Sequence, residues 1–189
     1  MRKLSAAFIT IFLVLGCTLQ SHQITLSPQA IAPPGSFGNG QKIQLLVEDA
    51  RASKIIGKRT GSDRKTDTIE ATNNISDALR NETALVLRKM GFEVWFAKSA
   101  PIQVKIIVEE LSYTSPDQNL VTHVDLKSVL RVEAKKAKTT YKSRYVTTSK
   151  LGVAYAPSRD INEVEINKVL SSTLSRLIGD TKLIGHLAR

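Results

Sequence analysis

The chain has 189 residues, a formal net charge of +10, a single cysteine and 5% aromatic residues. A single cysteine excludes an internal disulfide, and the few aromatic side chains argue against a protein that binds single-stranded nucleic acid by stacking its bases. The length suits one domain, and no apolar run reaches the about 20 residues that a membrane-spanning helix needs.

The first residues are typical of a bacterial secretory signal. Two basic residues precede an apolar segment over residues 4–16, and this segment is too short to span a bilayer. It ends at Gly16-Cys17, which resembles the lipobox of bacterial lipoproteins. Gly16 is small enough to enter a peptidase site, and the Cys17 thiol is the nucleophile that takes up diacylglycerol. We therefore predict a signal peptide over residues 1–16 and a lipid on Cys17 that attaches the protein to a membrane.

The residues after the cysteine bear on which membrane holds the protein and on how the domain is linked to the lipid. An aspartate immediately after the cysteine often retains such lipoproteins in the inner membrane. This position is Thr18 here, which predicts the outer membrane, with the domain facing the periplasm. Residues 17–41 are predicted to be the lipidated cysteine and a flexible tether, with a short edge strand over residues 24–28 as one option. The glycine-rich stretch 35–42 is superficially similar to a phosphate loop, but it precedes a strand instead of following one.

The folded domain is predicted over residues 42–189. Alternating apolar residues predict a strand over residues 43–48, and a long polar loop follows over residues 50–72, with a strand return at residues 55–57. Apolar residues at helical spacing then predict a helix over residues 75–90, ended by a glycine.

The second half of the chain is dominated by alternating segments. Strands are predicted over residues 92–96, 102–109, 124–134 and 141–151, and a helix follows from Asp160 to Gly179, with residues 180–188 as a short terminal helix. Strict alternation is typical of antiparallel sheets with one wet face. The fold class is therefore predicted as α+β, a two-layer sandwich in which an antiparallel sheet of four to five strands packs against two helices.

No group of residues is spaced like a catalytic or metal site. Glu109 and Glu110 are neighbours in a strand and should point to opposite faces. Asp49 and Arg51 follow the first strand, where they either form a local ion pair or hold a ligand. The histidines lie apart, in the tether, a strand and the tail, without a partner at metal-ligand spacing: His22, His123 and His186. We expect no cofactor, no metal and no enzymatic activity.

Basic residues concentrate in the hairpin over residues 124–150. Alternation predicts that several of them share the wet face of the sheet, with a lysine cluster at the hairpin tip. The candidate anion-binding residues are Lys127, Arg131, Lys135, Lys136, Lys138, Lys142 and Arg144. Such a field attracts anionic partners, although a merely solubilising face explains the same residues. The candidate partners are an acidic envelope protein or an anionic lipid, lipopolysaccharide or cell-wall fragment, and nucleic acid is not expected in the periplasm.

Several segments, taken in order, resemble the YajG family of bacterial lipoproteins. They are Cys17 and residues 24–28, 87–92, 102–108 and 170–187. The resemblance implies an envelope lipoprotein, and it brings no catalytic residues with it. The sequence thus predicts an outer-membrane-anchored periplasmic lipoprotein that acts without catalysis as a binding or assembly module. Binding of an anionic small ligand is the alternative, and the oligomeric state stays open.

Overall fold

The computed structural model describes residues 21–60, 66–115, 122–154 and 157–188. Within these residues eight strands and three helices form. The strands are β1 (His22–Ile24), β2 (Lys42–Asp49), β3 (Ile55–Thr60), β4 (Thr66–Ala71), β5 (Glu93–Trp95), β6 (Ile102–Thr114), β7 (Thr122–Lys136) and β8 (Thr139–Val153). The helices are α1 (Ile75–Lys89), α2 (Arg159–Ile178) and α3 (Thr181–Ala188).

All eight strands belong to one mixed sheet with β6 near its centre. β7 pairs with one edge of β6 along its whole length, and β2 and β3 share the other edge, β2 first and β3 at the end of the strand. β5 is the neighbour of β2 on its other side. β4 pairs with β3, and β1 pairs with β4. β8 pairs with β7. The predicted antiparallel sheet of four to five strands is wrong, because β1–β4, β2–β5, β2–β6 and β3–β6 are parallel pairs. The alternation of apolar and polar residues along a strand indicates which face of the sheet is exposed to solvent. It does not indicate whether the neighbouring strand is parallel or antiparallel.

The helices cover one face of this sheet and leave the other face to solvent. α1 packs on β2, α2 packs on β7 and β8, and α3 packs on β7. Alternate side chains of the central strands enter a single core with the apolar stripes of the helices, for example Leu45, Ile106 and Leu130 with Leu79 and Leu170. We call the face opposite the helices the outer face.

The predicted loop over residues 50–72 contains the antiparallel hairpin of β3 and β4. Ile56 and Ile69 are buried, whereas the other residues of this hairpin are mainly polar. The strand predicted at residues 55–57 is the start of β3, whereas β4 was not predicted. A hairpin that buries so few apolar side chains leaves no apolar period by which its second strand could be detected.

The predicted flexible tether is also wrong from residue 22 onward. His22–Ile24 forms β1, and residues 25–31, which we call the strap, lie along α2 in extended form. The strap donates backbone hydrogen bonds to α2 at every second residue: Thr25 N–H to Glu163 Oε2 (2.9 Å), Ser27 N–H to Asn167 Oδ1 (2.7 Å), Gln29 N–H to Ser171 Oγ (2.9 Å) and Ile31 N–H to Ser175 Oγ (3.1 Å). Four helical residues advance about 6.0 Å and two extended residues about 6.6 Å, so the two spacings match.

The other edge of the strap is held from the side of α1. The side chain of Asn73 accepts from Leu26 N–H and donates to Leu26 C=O, both at 2.8 Å, and Glu82 accepts from Ala30 N–H at 2.7 Å. Pro28, between these two donors, has no N–H to satisfy, and its ring is buried. The strap therefore gains from side chains the hydrogen bonds that a neighbouring strand would supply.

The glycine-rich stretch after the strap is packed against the end of α1. The N–H groups of Phe37 and Gly38 both donate to Met90 C=O at 2.8 Å, and Gly40 N–H donates to Gly91 C=O at 2.8 Å. The stretch is thus neither a tether nor a phosphate loop, because its N–H groups are used within the fold. Gly91, at φ +86°, allows the chain to reverse there.

The strand pairing separates two ends of the molecule. Residue His22 is level with Ile69, and through β3 this row continues to Tyr113 of β6. The turn between β7 and β8 lies at the opposite end, since Lys136 pairs with Ile102. At about 3.3 Å per residue, Ile102 and Tyr113 are roughly 36 Å apart. We call the end with β1 and the first turn of α2 the anchor end, and the end with the β7–β8 turn the hairpin end.

Candidate functional site

The outer face carries four basic residues of the hairpin, as their alternation predicted: Lys127, Arg131, Lys142 and Arg144. Arg131 is opposite Arg144 and Glu133 is opposite Lys142 in the β7–β8 pairing. Paired residues of an antiparallel ladder project to the same side, and Lys127 has the same parity as Arg131. The side chains of Val132 and Ala134 project to the other side and are buried in the core.

A β-bulge in β6 brings two carboxylates to these basic residues. The register slips between Val108, opposite Leu130, and Glu110, opposite Val129, which leaves Glu109 as the extra residue. Both Glu109 and Glu110 therefore reach the outer face. The expectation that they point to opposite faces is wrong, because it assumed an unbroken strand.

The carboxylates pair with the cations across three strands. Glu109 Oε1 accepts from Arg131 Nε at 2.8 Å and Glu109 Oε2 accepts from Arg144 Nε at 2.7 Å. Glu110 pairs with Lys127 Nζ at 2.8 Å. The hydrogen bond from Arg144 is the main cause that holds the pKa of Glu109 below its usual value, with a second bond from Arg131, and together they outweigh burial.

We call this set of ion pairs the outer ladder. Glu133 contacts both Arg131 and Lys142, and Lys105 Nζ lies 2.5 Å from Glu48 Oε2. Its members are Glu48, Lys105, Glu109, Glu110, Lys127, Arg131, Glu133, Lys142 and Arg144. Five cations against four carboxylates leave a charge of only +1, so the predicted basic field is largely neutralised on this face.

Glu109 bridges two arginines, so its loss should be felt more than that of an ordinary surface carboxylate. We expect Glu109→Ala to lower the free energy of unfolding by about 1 kcal/mol, because exposed ion pairs contribute little each and Arg131 and Arg144 would then face one another unscreened. Urea unfolding at low and high salt measures this, and high salt should reduce the difference. Glu165→Ala, which removes a single, longer pair with Lys168 at 3.5 Å, is the matched control. An equal cost for both variants would contradict the bridging role.

The tip of the hairpin divides into engaged and exposed lysines. Lys136 Nζ donates to Gln41 Oε1 and to Leu187 C=O, both at 2.7 Å, so it ties the tip to the end of α3. Lys135 and Lys138 are exposed. Of the predicted anion-binding residues, these two are the ones at the hairpin end that the fold leaves to solvent.

A carboxylate network that the sequence did not reveal lies beside this tip. Asp180 Oδ2 accepts from Tyr141 Oη at 2.7 Å and from Tyr145 Oη at 2.5 Å, and Asp180 Oδ1 accepts from the N–H groups of Lys182 (2.8 Å) and Leu183 (3.4 Å) at the start of α3. Burial alone would raise the pKa of Asp180, but the hydrogen bonds from the tyrosines outweigh it and hold the pKa below its usual value. Burial and the same carboxylate raise the pKa of Tyr145.

Trp95 lies on the outer face at the β5 edge of the sheet, opposite Gln44 of β2. Lys42 Nζ is 4.9 Å and Lys98 Nζ is 5.9 Å from the centroid of its ring, and its Nε1 donates to Glu93 Oε1 at 2.7 Å. The ring is thus occupied by neighbouring cations.

Asp49 and Arg51 form a local ion pair, which was one of the two alternatives that the sequence left open for them. The guanidinium donates through Nε to Oδ1 at 2.8 Å and through Nη2 to Oδ2 at 2.9 Å. Burial raises the pKa of Asp49, yet the hydrogen bond from Arg51 dominates with the other attractions and the pKa lies below its usual value.

The histidines remain separate in the fold. His123 lies 3.5 Å from Asp125, and His186 contacts Ala134 C=O at 3.1 Å. His22 lies 3.9 Å from Asp67. In the described ranges no three His, Cys, Asp or Glu residues come close enough to share a metal ion.

An open groove of about 750 Å³ lies between the strap and α1, away from the hairpin. Asp77 and Glu82 line it together with Arg88, and the apolar side chains of Leu85 and Phe96 are partly exposed there. A groove with two carboxylates and one cation does not suit an anionic ligand. The basic residues of the hairpin line a sheet face instead.

The last strand offers a long free edge. β8 has fifteen residues, and within the described chain it pairs only with β7. Arg176 donates to the carbonyl oxygen of Val146, so this carbonyl faces away from β7. Because backbone groups alternate along a strand, the N–H and C=O groups of the other even-numbered residues face the free edge too. The side chains of these residues lie on the outer face, and among them are Lys142, Arg144 and Lys150.

No helix in the described ranges combines the length and the apolar character that crossing a bilayer would take. A family model described as "Uncharacterized lipoprotein" matches residues 28–188, whereas no curated protein matches significantly. Among solved structures, the chain is similar to a protein from Xanthomonas campestris, with a TM-score of 0.59, 12% identity, and 88% of this chain and 97% of that chain covered. This likeness supports the fold alone.

Two further solved structures are similar at lower scores. One is a minor lipoprotein from Acinetobacter baumannii, with a TM-score of 0.42, 12% identity, and 78% of this chain and 92% of that chain covered. The other is a neuraminyllactose-binding hemagglutinin homolog from Helicobacter pylori, with a TM-score of 0.45, 10% identity, and 87% and 97% covered.

Proposed function

The chain belongs to a family of uncharacterised lipoproteins, and from this premise we propose an outer-membrane lipoprotein that acts without catalysis as a binding or assembly module of the cell envelope. Cys17 carries the lipid, and Thr18 beside it directs the protein to the outer membrane, with the domain in the periplasm. The narrower resemblance to the YajG family is part of this proposal. The lipobox at Cys17 and the match to the lipoprotein model support the anchor.

The free edge of β8 is the observation that carries the binding role. An exposed edge can accept an extended segment of another protein as an additional strand. The side chains of Lys142, Arg144 and Lys150 flank this edge on the outer face, so a segment with acidic residues at alternate positions would suit it. A second copy of the chain would suit it less, because antiparallel pairing about Val146 would set Lys142 against Lys150.

The exposed lysines at the hairpin end support the same partner. Lys135 and Lys138 lie next to the start of the β8 edge and are free to attract an acidic protein before contact. Lys142 and Arg144 are paired within the outer ladder, so they contribute mainly to selectivity. An anionic small ligand is the weaker candidate, since the groove beside α1 is lined by Asp77 and Glu82.

Blocking the β8 edge tests the proposal. Thr148 is exposed, and its N–H faces the free edge, so Thr148→Pro should remove one donor from the edge without breaking a bond to β7. The measurement is crosslinking in cells followed by mass spectrometry. We expect the parent chain to recover a protein partner, and Thr148→Pro to recover several-fold less of that partner. Thr148→Ala is the matched control and should retain the partner.

A second pair of substitutions separates charge from edge pairing. Lys135→Glu with Lys138→Glu should also reduce partner recovery, and Lys136 is kept because it holds the carbonyl of Leu187. Recovery of no protein above background with the parent chain would reject the assembly role. Unchanged recovery with Thr148→Pro would reject the edge as the site of contact.

A further inference from the structure

The start of the described chain limits how far the domain can be from a lipid on Cys17. Ser21 follows Cys17 by four residues, and four extended residues span at most about 14 Å. The strap and β1 begin at once, and the strap is held between α1 and α2. A lipid on Cys17 must therefore enter its membrane within this short distance of the place where Ser21 leaves the fold.

Ser21 leaves the fold at the anchor end. The following residue, His22, pairs with Ile69 in the row that leads to Tyr113. Thr25 N–H is bonded to Glu163 in the second turn of α2. The chain start and the beginning of α2 thus share one end of the molecule, about 36 Å from Ile102 and the hairpin end by strand length.

Two exposed aliphatic side chains lie at this end. Ile161 is 48% exposed and Val164 is 63% exposed, and they flank Glu163 in the sequence of α2. Val164 and Lys168 are one helical turn apart, so they lie on the same side of the helix. The side chains of Arg159 and Lys168 are 62% and 67% exposed, and each also pairs with a neighbouring carboxylate, Asp160 at 3.0 Å and Glu165 at 3.5 Å respectively. Aliphatic side chains bordered by long cations are the composition that settles at a lipid headgroup layer.

We propose that the anchor end rests on the membrane surface, with Ile161 and Val164 entering the headgroup layer and Arg159 and Lys168 facing lipid phosphates. The inference depends on the proposed lipidation of Cys17. In this orientation the hairpin end points away from the membrane. Lys135 and Lys138 then lie beyond the reach of the anchoring lipid headgroups, because the Debye length is about 8 Å at physiological salt. The hairpin end is then accessible to a partner in the periplasm.

Site-specific fluorescence tests the orientation on the full lipidated protein. Lipid consumes the Cys17 thiol, so Val164→Cys supplies a single thiol for an environment-sensitive dye, and Lys138→Cys supplies the same at the hairpin end. Each labelled protein is reconstituted into phosphatidylethanolamine–phosphatidylglycerol vesicles with and without a doxyl-labelled phospholipid. We expect a blue-shifted emission and several-fold stronger quenching at position 164 than at position 138. Ile161→Asp in the position-164 protein should reduce this quenching without releasing the protein from the vesicles.

Vesicle flotation and the mass of the N-terminal peptide separate the two proposals. A chain that carries no lipid on Cys17 and does not float overturns the anchor and the orientation together. A lipidated chain that floats, with equal quenching at the two positions, overturns the orientation and leaves the anchor intact. Stronger quenching at position 138 would show that the hairpin end is the one that meets the lipid.

Discussion

Gly38→Ala is expected to lower the free energy of unfolding by about 3 kcal/mol or more, as overpacking of a tight site does. A Cβ on Gly38 would lie 2.4 Å from the carbonyl carbon of Gly91 and 2.4 Å from the nitrogen of Phe92. Both are backbone atoms at the end of α1, so neither can rotate away. The loop would have to move off α1 and lose the hydrogen bonds of Phe37 and Gly38 to Met90 C=O.

Urea unfolding followed by circular dichroism measures this change as a lower midpoint. Gly152→Ala is the matched control, because a Cβ at that position in β8 meets no atom within 4 Å. We expect the control to be as stable as the parent protein or slightly more stable. A Gly38→Ala protein that unfolds at the parent midpoint would contradict the packing of this loop against α1.

Asp180→Ala is expected to cost about 3 kcal/mol. Its carboxylate caps α3, which is worth about 1 kcal/mol, and the hydroxyls of Tyr141 and Tyr145 would lose their acceptor, at about 1 kcal/mol or more each. Tyr145 is only 8% exposed, so water cannot fully replace the carboxylate there. Asp180 thus links β8 to the start of α3 by hydrogen bonds.

The ionised carboxylate also makes this contribution dependent on pH. The pKa of Asp180 is lower in the folded protein than its usual value of 3.8, so its stabilisation is complete above about pH 5 and is lost as the pH falls through the folded pKa. In Asp180→Asn this part of the acid destabilisation should be absent. Unfolding free energies measured between pH 7 and about pH 3 test this, and Tyr145→Phe, which keeps the carboxylate but removes one of its two tyrosine donors, should show an intermediate acid slope. Equal acid slopes in Asp180→Asn and the parent protein would contradict the network.

Elements whose signals are local were predicted well. α1 begins at Ile75 and is capped by Asn74, whose side chain accepts from Ser76 N–H and Asp77 N–H, and the chain turns at Gly91. Both signals lie within a few residues of the helix ends. The long β7–β8 hairpin and its wet face likewise follow from alternation between neighbouring residues.

Elements held by distant partners were missed. Among the described residues the strap pairs with no strand, because α2 and Asn73 supply its hydrogen bonds, and residues 25 and 163 are far apart in the chain. The parallel strands β2 and β6 are adjacent because the helical layer connects and covers them, and neither strand records this in its own pattern.

By itself the sequence predicted a lipobox at Cys17, which lies outside the residues that the structure describes, and it determined the two main helices, the alternating hairpin and the wet face on which most of its cations lie. Each of these depends on residue types at short spacing. Only the tertiary structure decided how much charge that face presents. One extra residue in β6 turns Glu109 toward Arg131 and Arg144, and a bulge leaves no periodic mark in the sequence that would reveal it. Charge neutralisation depends on distances between strands, so the basic hairpin of the sequence is, in the fold, a paired ladder with two exposed lysines at its far end.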